Sequence, residues 1–125
     1  MEIKDLTRAE EQIMQVLWQL ESAFVKEVID CLPEPKPAYN TVSTIIRILE
    51  VKSFIGHEAF GKSHKYHPLI SKEAYKRHAT EKLLGNYFEN SVESMFSFFV
   101  KEEKLDLSDV DEILKMINKF KNKPK

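Results

Sequence analysis

The stretch from Ala38 to Ser53 reads AYNTVSTIIRILEVKS, and its apolar residues recur with the period of an α-helix. They occupy positions i, i+3, i+4 and i+7, which lie on one face of a helix: Val42, Ile45, Ile46 and Leu49. The opposite side carries short polar groups around an arginine, where a helix exposed only to solvent more often carries Glu, Lys and Gln. These polar residues are Asn40, Thr41, Ser43, Thr44 and Arg47. Short donors and acceptors allow close approach to a partner, so the pattern is typical of a nucleic-acid recognition helix; the alternative is simple capping near the helix start.

Two further helices are predicted before this stretch. The first begins at Thr7, which has the capping-box spacing with Glu10, and the second runs from about Phe24 to Leu32. Prolines at positions 33, 35 and 37 end the second helix, because proline cannot continue a helix and pushes its neighbours into extended conformations. Helix, short helix, turn and polar-faced helix is the order of a helix-turn-helix domain.

A β-hairpin is predicted after Ser53, with strands at 54–60 and 64–67 and a turn at 61–63. Such a ribbon directly after a recognition helix is the wing of a winged-helix domain. Three residues near its tip favour a DNA-contacting wing over a hairpin that only covers the core: Lys62, His64 and Lys65. Segment 36–66 holds five Lys or Arg residues against two Glu residues, so phosphate binding is compatible with a whole-chain charge of −1.

Three more helices are predicted after residue 70, beginning near Ser71, Ser91 and Ser108. Three short helices can hardly bury so many aromatic and aliphatic residues alone, so we expect a two-fold homodimer; packing against the N-terminal domain is the alternative. The candidate dimerisation residues are Leu84, Tyr87, Phe88, Met95, Phe96, Phe98, Phe99, Ile113 and Ile117. The predicted architecture is mainly α with a small β-hairpin: a winged helix-turn-helix DNA-binding domain at 1–70 and a helical dimerisation region at 71–125.

The composition of the 125 residues excludes several classes of protein. The single cysteine, Cys31, rules out an internal disulfide and suits a reducing compartment. No apolar run reaches the ~18 residues of a membrane span and the N-terminus is too charged for a signal peptide, so we expect a cytoplasmic protein without membrane insertion. The chain has no Gly-rich phosphate loop, HExxH, CxxC or nucleophile elbow, so we predict neither catalysis nor a cofactor.

Histidines on the predicted hairpin leave a metal- or ligand-responsive regulator open as an alternative: His57, His64 and His67. We expect His57 and His67 to pair across the ribbon and His64 and His67 to point to opposite faces. That arrangement does not converge on one ion, so no metal site is assigned. The charge of −1 keeps a third possibility open, a winged-helix module used for protein–protein contact.

Several strings resemble the penicillinase repressor family, also called BlaI/MecI/CopY, whose members are winged-helix transcriptional regulators. They are NTVSTIIRILE from Asn40, FIGHE from Phe54, GKSHKYHP from Gly61, LTRAE from Leu6, VLW from Val16, and the region from Asn90 to Val100. The resemblance covers nearly the whole chain. It implies a homodimeric repressor that binds a two-fold-symmetric operator in double-stranded DNA. It also implies a partner, a membrane-bound metallopeptidase sensor that triggers cleavage of the repressor.

The resemblance also assigns roles by position. The residues implied to face bases, nearby phosphates or the wing contact are Asn40, Thr41, Thr44, Arg47 and Lys62. The pair at the cleavage position is Phe98-Phe99, where penicillinase-type members have Asn-Phe. The copper-responsive branch carries a C-terminal cysteine cluster, and since this chain has none, copper sensing by that route is excluded.

Overall fold

Six helices and one two-stranded antiparallel sheet make up the part of the chain that the computed structural model describes, residues 2–121. The elements in chain order are α1 (Arg8–Leu20), α2 (Val25–Asp30), α3 (Tyr39–Val51), β1 (Ile55–Phe60), β2 (Ser63–Pro68), α4 (Lys72–Tyr87), α5 (Val92–Lys101) and α6 (Leu107–Lys121). The predicted class, mainly α with a small β-hairpin, is confirmed. None of the helices within residues 2–121 is long and apolar enough to cross a membrane.

The chain divides into two compact units, the first ending at Ala79 and the second beginning at Thr80, so the division lies inside α4. The first unit extends beyond residue 70, where the sequence predicts the end of the winged domain. The reason is Tyr75 on α4, whose hydroxyl accepts a hydrogen bond from the backbone N–H of Leu6 at 3.0 Å and whose ring contacts Phe54. The first turns of α4 therefore pack on the winged unit.

The core of the first unit is formed by apolar residues of α1, α2, α3, the hairpin and the segments between them. Its members are Ile13, Met14, Val16, Leu17, Ala23, Val25, Val28, Leu32, Val42, Ile46, Leu49, Phe54, Ile55 and Tyr66. Of the stripe predicted on α3, Ile45 alone is only partly buried and packs at the edge of this core. The stripe thus directs the opposite side of α3 towards solvent, as the helical period requires.

The start of α1 is fixed by the predicted capping box. Thr7 Oγ1 accepts a hydrogen bond from the backbone N–H of Glu10 at 3.2 Å, and Glu10 Oε1 accepts one from the backbone N–H of Thr7 at 2.8 Å. The buried Glu10 carboxylate also binds Lys52 Nζ at 2.8 and 3.0 Å. Because Lys52 is the C-cap of α3, this ion pair holds the end of α3 against the start of α1.

Lys36 closes the connection between α2 and α3. Its Nζ donates to the backbone carbonyl oxygens of Asp30, at 2.9 Å, and Leu32, at 2.6 Å. A lysine near a helix C-terminus satisfies carbonyls that have no partner within the helix. One of the cations counted in segment 36–66 is therefore engaged in loop structure.

The hairpin has a shorter turn than the sequence predicts. Phe60 pairs with Ser63, so only Gly61 and Lys62 lie in the turn. Gly61 has a φ of 63°, a conformation that favours glycine. A two-residue turn of this kind suits the twist of the flanking strands.

The register corrects the predicted pairing of the histidines. His57 pairs with Tyr66, and His67 pairs with Gly56, so the predicted pairing of His57 with His67 is wrong by one residue. The reason is the shortened turn, which brings Ser63 into the return strand. The backbone of Ala23 adds a single bridge to Tyr66 on the other edge of β2.

The second unit contains the rest of α4 with α5 and α6. Ser91, near which the sequence predicts the start of this helix, is the N-cap of α5, since its Oγ accepts from the backbone N–H of Ser94 at 3.0 Å. The predicted cap of α6 at Ser108 is wrong, because Asp106 fills that role: its Oδ1 accepts from the backbone N–H of Asp109 at 2.9 Å. None of the residues from 80 to 119 is fully buried within this single chain.

Candidate nucleic-acid interface

The outward side of α3 carries the polar residues predicted from the sequence. Asn40, Thr41, Thr44 and Arg47 are exposed, and Ser43 is partly exposed. They lie on one side of a single rigid helix whose other side is anchored in the core. Side chains held in this way are pre-organised for contact with a partner surface.

Thr44 uses its hydroxyl inside the helix. Its Oγ1 donates to the backbone carbonyl oxygen of Asn40 at 2.8 Å, one turn earlier. This bond fixes the side-chain rotamer and occupies the donor, as threonine often does in helices. Thr44 therefore offers a partner its methyl group and the hydroxyl lone pairs, but no free hydroxyl proton.

A row along one flank of α3 consists of Tyr39, Ser43 and Arg47, each four residues from the next. Arg47 Nη2 lies 3.5 Å from Ser43 Oγ, at the outer limit of a hydrogen bond, so the guanidinium keeps nearly all of its donors for other partners. The row faces the hairpin, since all three residues line the same cleft as residues of β2.

The hairpin tip brings some of the predicted basic residues together and separates others. Lys62 lies in the exposed turn and His64 follows it on β2. Lys65 is directed elsewhere: its Nζ lies 5.6 Å from the ring centroid of Phe24, a cation–π contact. Successive residues of a strand point to opposite faces, which explains why His64 and Lys65 diverge.

A cleft of about 680 Å³ lies between α3, the start of α2 and the hairpin. It brings together Ser43, Arg47, Lys62 and His64, and it leaves Asn40, Thr41 and Thr44 on the open outward face beside it. Its complete lining is Phe24, Val25, Lys26, Glu27, Tyr39, Ser43, Arg47, Phe60, Lys62, Ser63, His64 and Tyr66. Cations at its rim and an open helix face beside it can contact an anionic backbone and base edges together.

Next to the cleft, a side-chain contact joins α3 to the hairpin. Glu50 on α3 hydrogen-bonds His57 Nδ1 on β1, and the His57 ring stacks on His64 with centroids 4.1 Å apart. Burial raises the pKa of the Tyr66 phenol, and the neighbouring Glu50 carboxylate and Tyr39 raise it further while Arg47 lowers it. The Tyr66 phenol is therefore neutral across the physiological range.

The hairpin histidines do not gather round one point. His57 and His64 stack on one face of the ribbon, whereas the His67 imidazole covers Gly56, where an added Cβ would lie 3.2 Å from Nε2. Across residues 2–121 there is no group of three or more His, Cys, Asp or Glu side chains arranged to hold a metal ion.

Three residues of the α3 surface were missed by sequence reasoning. Tyr39 is half-exposed at the head of the cleft row, and Ile48 and Val51 are exposed on the outward face, Val51 to 83%. The four-residue spacing of Tyr39 from Ser43 was a signal for the first. The four-residue spacing of Ile48 from Thr44 was a signal for the second.

The nine predicted dimerisation residues lie in the second unit, and six of them fall into two groups. Phe96, Ile113 and Ile117 line an apolar groove of about 260 Å³ between α5 and α6. Phe98 contacts both Phe88 and Phe99, with ring centroids 5.7 and 6.3 Å apart. The remaining predicted residues are Leu84 and Met95, which are partly exposed, and Tyr87, which is exposed.

Comparison with known proteins gives consistent matches. The family model described as penicillinase repressor matches residues 6–119. The penicillinase repressor of Bacillus licheniformis is 24% identical over 124 residues, covering 98% of this chain and 97% of that protein. The methicillin resistance regulatory protein MecI of Staphylococcus aureus strain N315 is 22% identical over 116 residues, covering 92% and 94%.

Two solved structures resemble the winged unit. The solution structure of the DNA binding domain of the repressor BlaI aligns with a TM-score of 0.52 at 28% identity, covering 59% of this chain and 92% of that one. The Bacillus licheniformis BlaI monomeric form in complex with the blaP half-operator aligns with a TM-score of 0.50, at the same identity and coverage. Both matches confirm the winged-helix fold.

Proposed function

This chain belongs to the penicillinase repressor family, and from that premise we propose that it is a DNA-binding transcriptional repressor that acts as a homodimer on a two-fold-symmetric operator. In this proposal α3 enters the major groove and the β1–β2 hairpin is the wing that contacts the adjacent backbone. The solved relative in complex with a half-operator supports the DNA-binding part of the proposal.

The observation that carries the proposal is the single open surface formed by the α3 outward face and the cleft rim. Asn40, Thr41 and Thr44 are short enough to approach base edges, and Arg47 is long enough to reach either a guanine or a phosphate. Lys62 and His64 lie at the wing end of the same surface. A recognition helix flanked by cations is what sequence-specific binding to an anionic duplex needs.

Homodimerisation is supported by the exposed apolar side chains of the second unit. Phe98 is 48% exposed, Ile117 51% and Leu114 52%, although α5 and α6 contact each other along the apolar groove. A second copy that covers these residues removes apolar area from water, and a two-fold arrangement is the simplest way to do so. Two winged units on one dimer then match two operator half-sites.

Release is proposed to follow a cut near Phe98-Phe99 by a membrane-bound metallopeptidase sensor. Both residues lie within α5, which follows α4 and precedes α6 in the sequence. A cut there separates Phe96 from Ile113 and Ile117, which line the same groove. The dimer then loses one wall of that groove, and the operator is held by single subunits.

The proposal is tested by selecting binding sites from a random-sequence duplex pool with the full-length protein. We expect the enriched site to contain two half-sites related by a two-fold axis. We also expect its association constant to fall linearly with salt concentration on a log–log plot, because counterions are released from neutralised phosphates. Enrichment of no sequence and a flat salt response would overturn the proposal and favour a protein–protein interaction module.

A further inference from the structure

Glu50 is an anionic residue on the surface that is proposed to contact DNA. It lies on the last turn of α3, one turn after Arg47, on the flank that faces the hairpin. A carboxylate on a surface that approaches phosphates repels them. Because this repulsion disfavours DNA binding, we expect Glu50 to have a role other than direct contact with the duplex.

The contacts of Glu50 supply such a role. Its Oε2 lies 2.5 Å from His57 Nδ1 on β1, and both side chains are about one-third exposed, at 32% and 33%. The His57 ring stacks on His64 almost in parallel, at 8°, and contacts the Tyr66 ring at 5.7 Å. His64 lies two residues after Lys62 of the turn. The contacts therefore run from the end of α3, through two stacked imidazoles, to the tip of the hairpin.

Apart from the contacts of Phe60 and Lys65 with the Phe24 ring, the outer part of the hairpin has little else to hold it. From His57 to His64 every residue is exposed, and the buried residues Ile55 and Tyr66 lie at its base. A two-stranded ribbon is only marginally stable by itself, so the direction of its tip depends on side-chain contacts to the neighbouring helix. The hydrogen bond between Glu50 and His57 is such a contact.

We propose that Glu50 and His57 are positioning residues that hold the wing at the angle at which Lys62 and Arg47 meet the same duplex. The proposal rests on the proposed DNA-binding function. Neither residue needs to touch DNA. Their effect is exerted through Lys62 and His64, which they keep beside the recognition helix.

The two possible roles of Glu50 predict opposite changes in DNA affinity for the Glu50→Ala variant. If Glu50 is only an anion near phosphates, Glu50→Ala tightens binding. If it holds the wing, Glu50→Ala weakens binding, by about tenfold for the loss of a well-placed wing contact. Glu50→Gln keeps a side chain that can hydrogen-bond His57 and should restore most of the affinity.

The matched control is Glu58→Ala. Glu58 is an exposed carboxylate of the hairpin itself, next to His57 in sequence but on the opposite face of β1. Its removal deletes the same charge at a similar place without touching the Glu50–His57 contact. We expect affinity to be unchanged or slightly higher.

The decisive experiment is a double-mutant cycle on the full-length protein, using the duplex selected from the random pool. In the wild type, Lys62→Ala should weaken binding and lower the salt slope by about one. In the Glu50→Ala background, Lys62→Ala should reduce the affinity much less, because Lys62 is no longer held near the phosphate. His57→Ala, a second variant at an exposed position, should behave as Glu50→Ala does and add little to it.

Additive effects of Glu50→Ala and Lys62→Ala, or tighter binding by Glu50→Ala, would overturn the positioning role while leaving the repressor proposal intact. If the wild type binds no selected duplex, both proposals fall. Thermal unfolding of each variant checks that the winged unit remains folded.

Discussion

At the scale of single residues, Thr44 changes what the recognition surface can read. Its hydroxyl proton is already donated to the Asn40 carbonyl, so the group it presents to a partner is mainly a methyl. In the major groove the apolar feature is the C5-methyl group of thymine. Thr44 is thus better suited to a thymine than to a base that must accept a hydrogen bond.

We predict that Thr44→Ala and Asn40→Ala each weaken specific binding by about 1–3 kcal/mol and affect random DNA much less, as expected for lost base contacts. Thr44→Val keeps the methyl group, replaces the hydroxyl with a second methyl and should stay close to the wild type. Lys62→Ala should weaken binding to both kinds of DNA about equally. Fluorescence anisotropy with specific and random duplexes measures all four variants. Equal losses on both duplexes for the helix variants would contradict base reading by α3.

The ion pair between the buried Glu10 and the partly exposed Lys52 gives a prediction about stability and pH. Burial raises the pKa of the Glu10 carboxyl, but the hydrogen bonds and charge of Lys52 and the Thr7 N–H outweigh burial and hold the pKa below its ordinary value of 4.5. A carboxyl whose pKa is lower in the folded state contributes stability above the unfolded value. That contribution is lost as the pH falls through the folded pKa.

Lys52→Met leaves the Glu10 carboxylate without its main partner. We expect it to lower the free energy of unfolding by roughly 3 kcal/mol at neutral pH. The deficit should shrink as the pH falls below 4.5, where the carboxyl becomes protonated. Urea unfolding at a series of pH values measures the difference between variant and wild type. A deficit that stays constant down to acidic pH would show that the ion pair is not its source.

At the scale of elements, the sequence predicted what depends on local chemistry. The Thr7–Glu10 capping box, the proline stop after α2 and the buried stripe of α3 follow from neighbouring residues, and all three are found. The histidine pairing was wrong because register depends on the turn, and the addition of Ser63 to β2 shifted every partner by one residue. The contact of Glu50 with His57 could not be predicted, since it depends on the angle between a helix and a ribbon.

The N-cap of α6 was predicted at the wrong residue for a different reason. Ser108 and Asp106 are both good N-cap residues, and sequence alone favoured the serine because acidic residues follow it. Asp106 prevails because Asp109 three residues later returns the hydrogen bond, at 3.2 Å, so two backbone groups are satisfied together. Asp106 and Asp109 thus have the same reciprocal spacing as Thr7 and Glu10.

The apolar residues of α5 predict the outcome of a charge substitution. Phe96 lines the groove with α6, and Phe99 is half-buried beside Phe98. Phe96→Asp or Phe99→Asp should convert the dimer to a monomer, because an unpaired carboxylate in an apolar interface is strongly unfavourable. Ser94→Asp adds the same charge at an exposed position of α5 and should leave the dimer intact. Sedimentation velocity decides the matter, and a folded dimer with either Phe variant would place the interface elsewhere.

At the scale of the whole molecule, the two units differ in how completely they bury their apolar residues. Every fully buried apolar residue of the described chain lies between Ile13 and Tyr66, so the winged unit contains its own core. Between residues 80 and 119, the second unit leaves every apolar residue at least partly exposed within one chain. The first unit can therefore persist when the second is damaged, and this makes release by cutting physically reasonable.

We predict that a truncated form ending at Ser97 folds, is monomeric and loses its hold on the full operator. Simultaneous binding of two half-sites gains about 10²–10⁴ in apparent affinity from effective concentration, and the truncated form should lose roughly that factor. Circular dichroism reports folding and a gel shift at physiological salt reports binding. Operator binding as tight as that of the intact chain would rule out release by this cut.

The central claim, that two copies read two half-sites together through α3, is tested most directly by scrambling one half-site. The intact protein is titrated with the selected duplex and with a duplex of equal length in which one half-site has been randomised. We expect the randomised duplex to bind at least about 10² times more weakly, because one subunit then makes only backbone contacts. Equal affinity for the two duplexes would contradict it, because recognition would then reside in a single subunit.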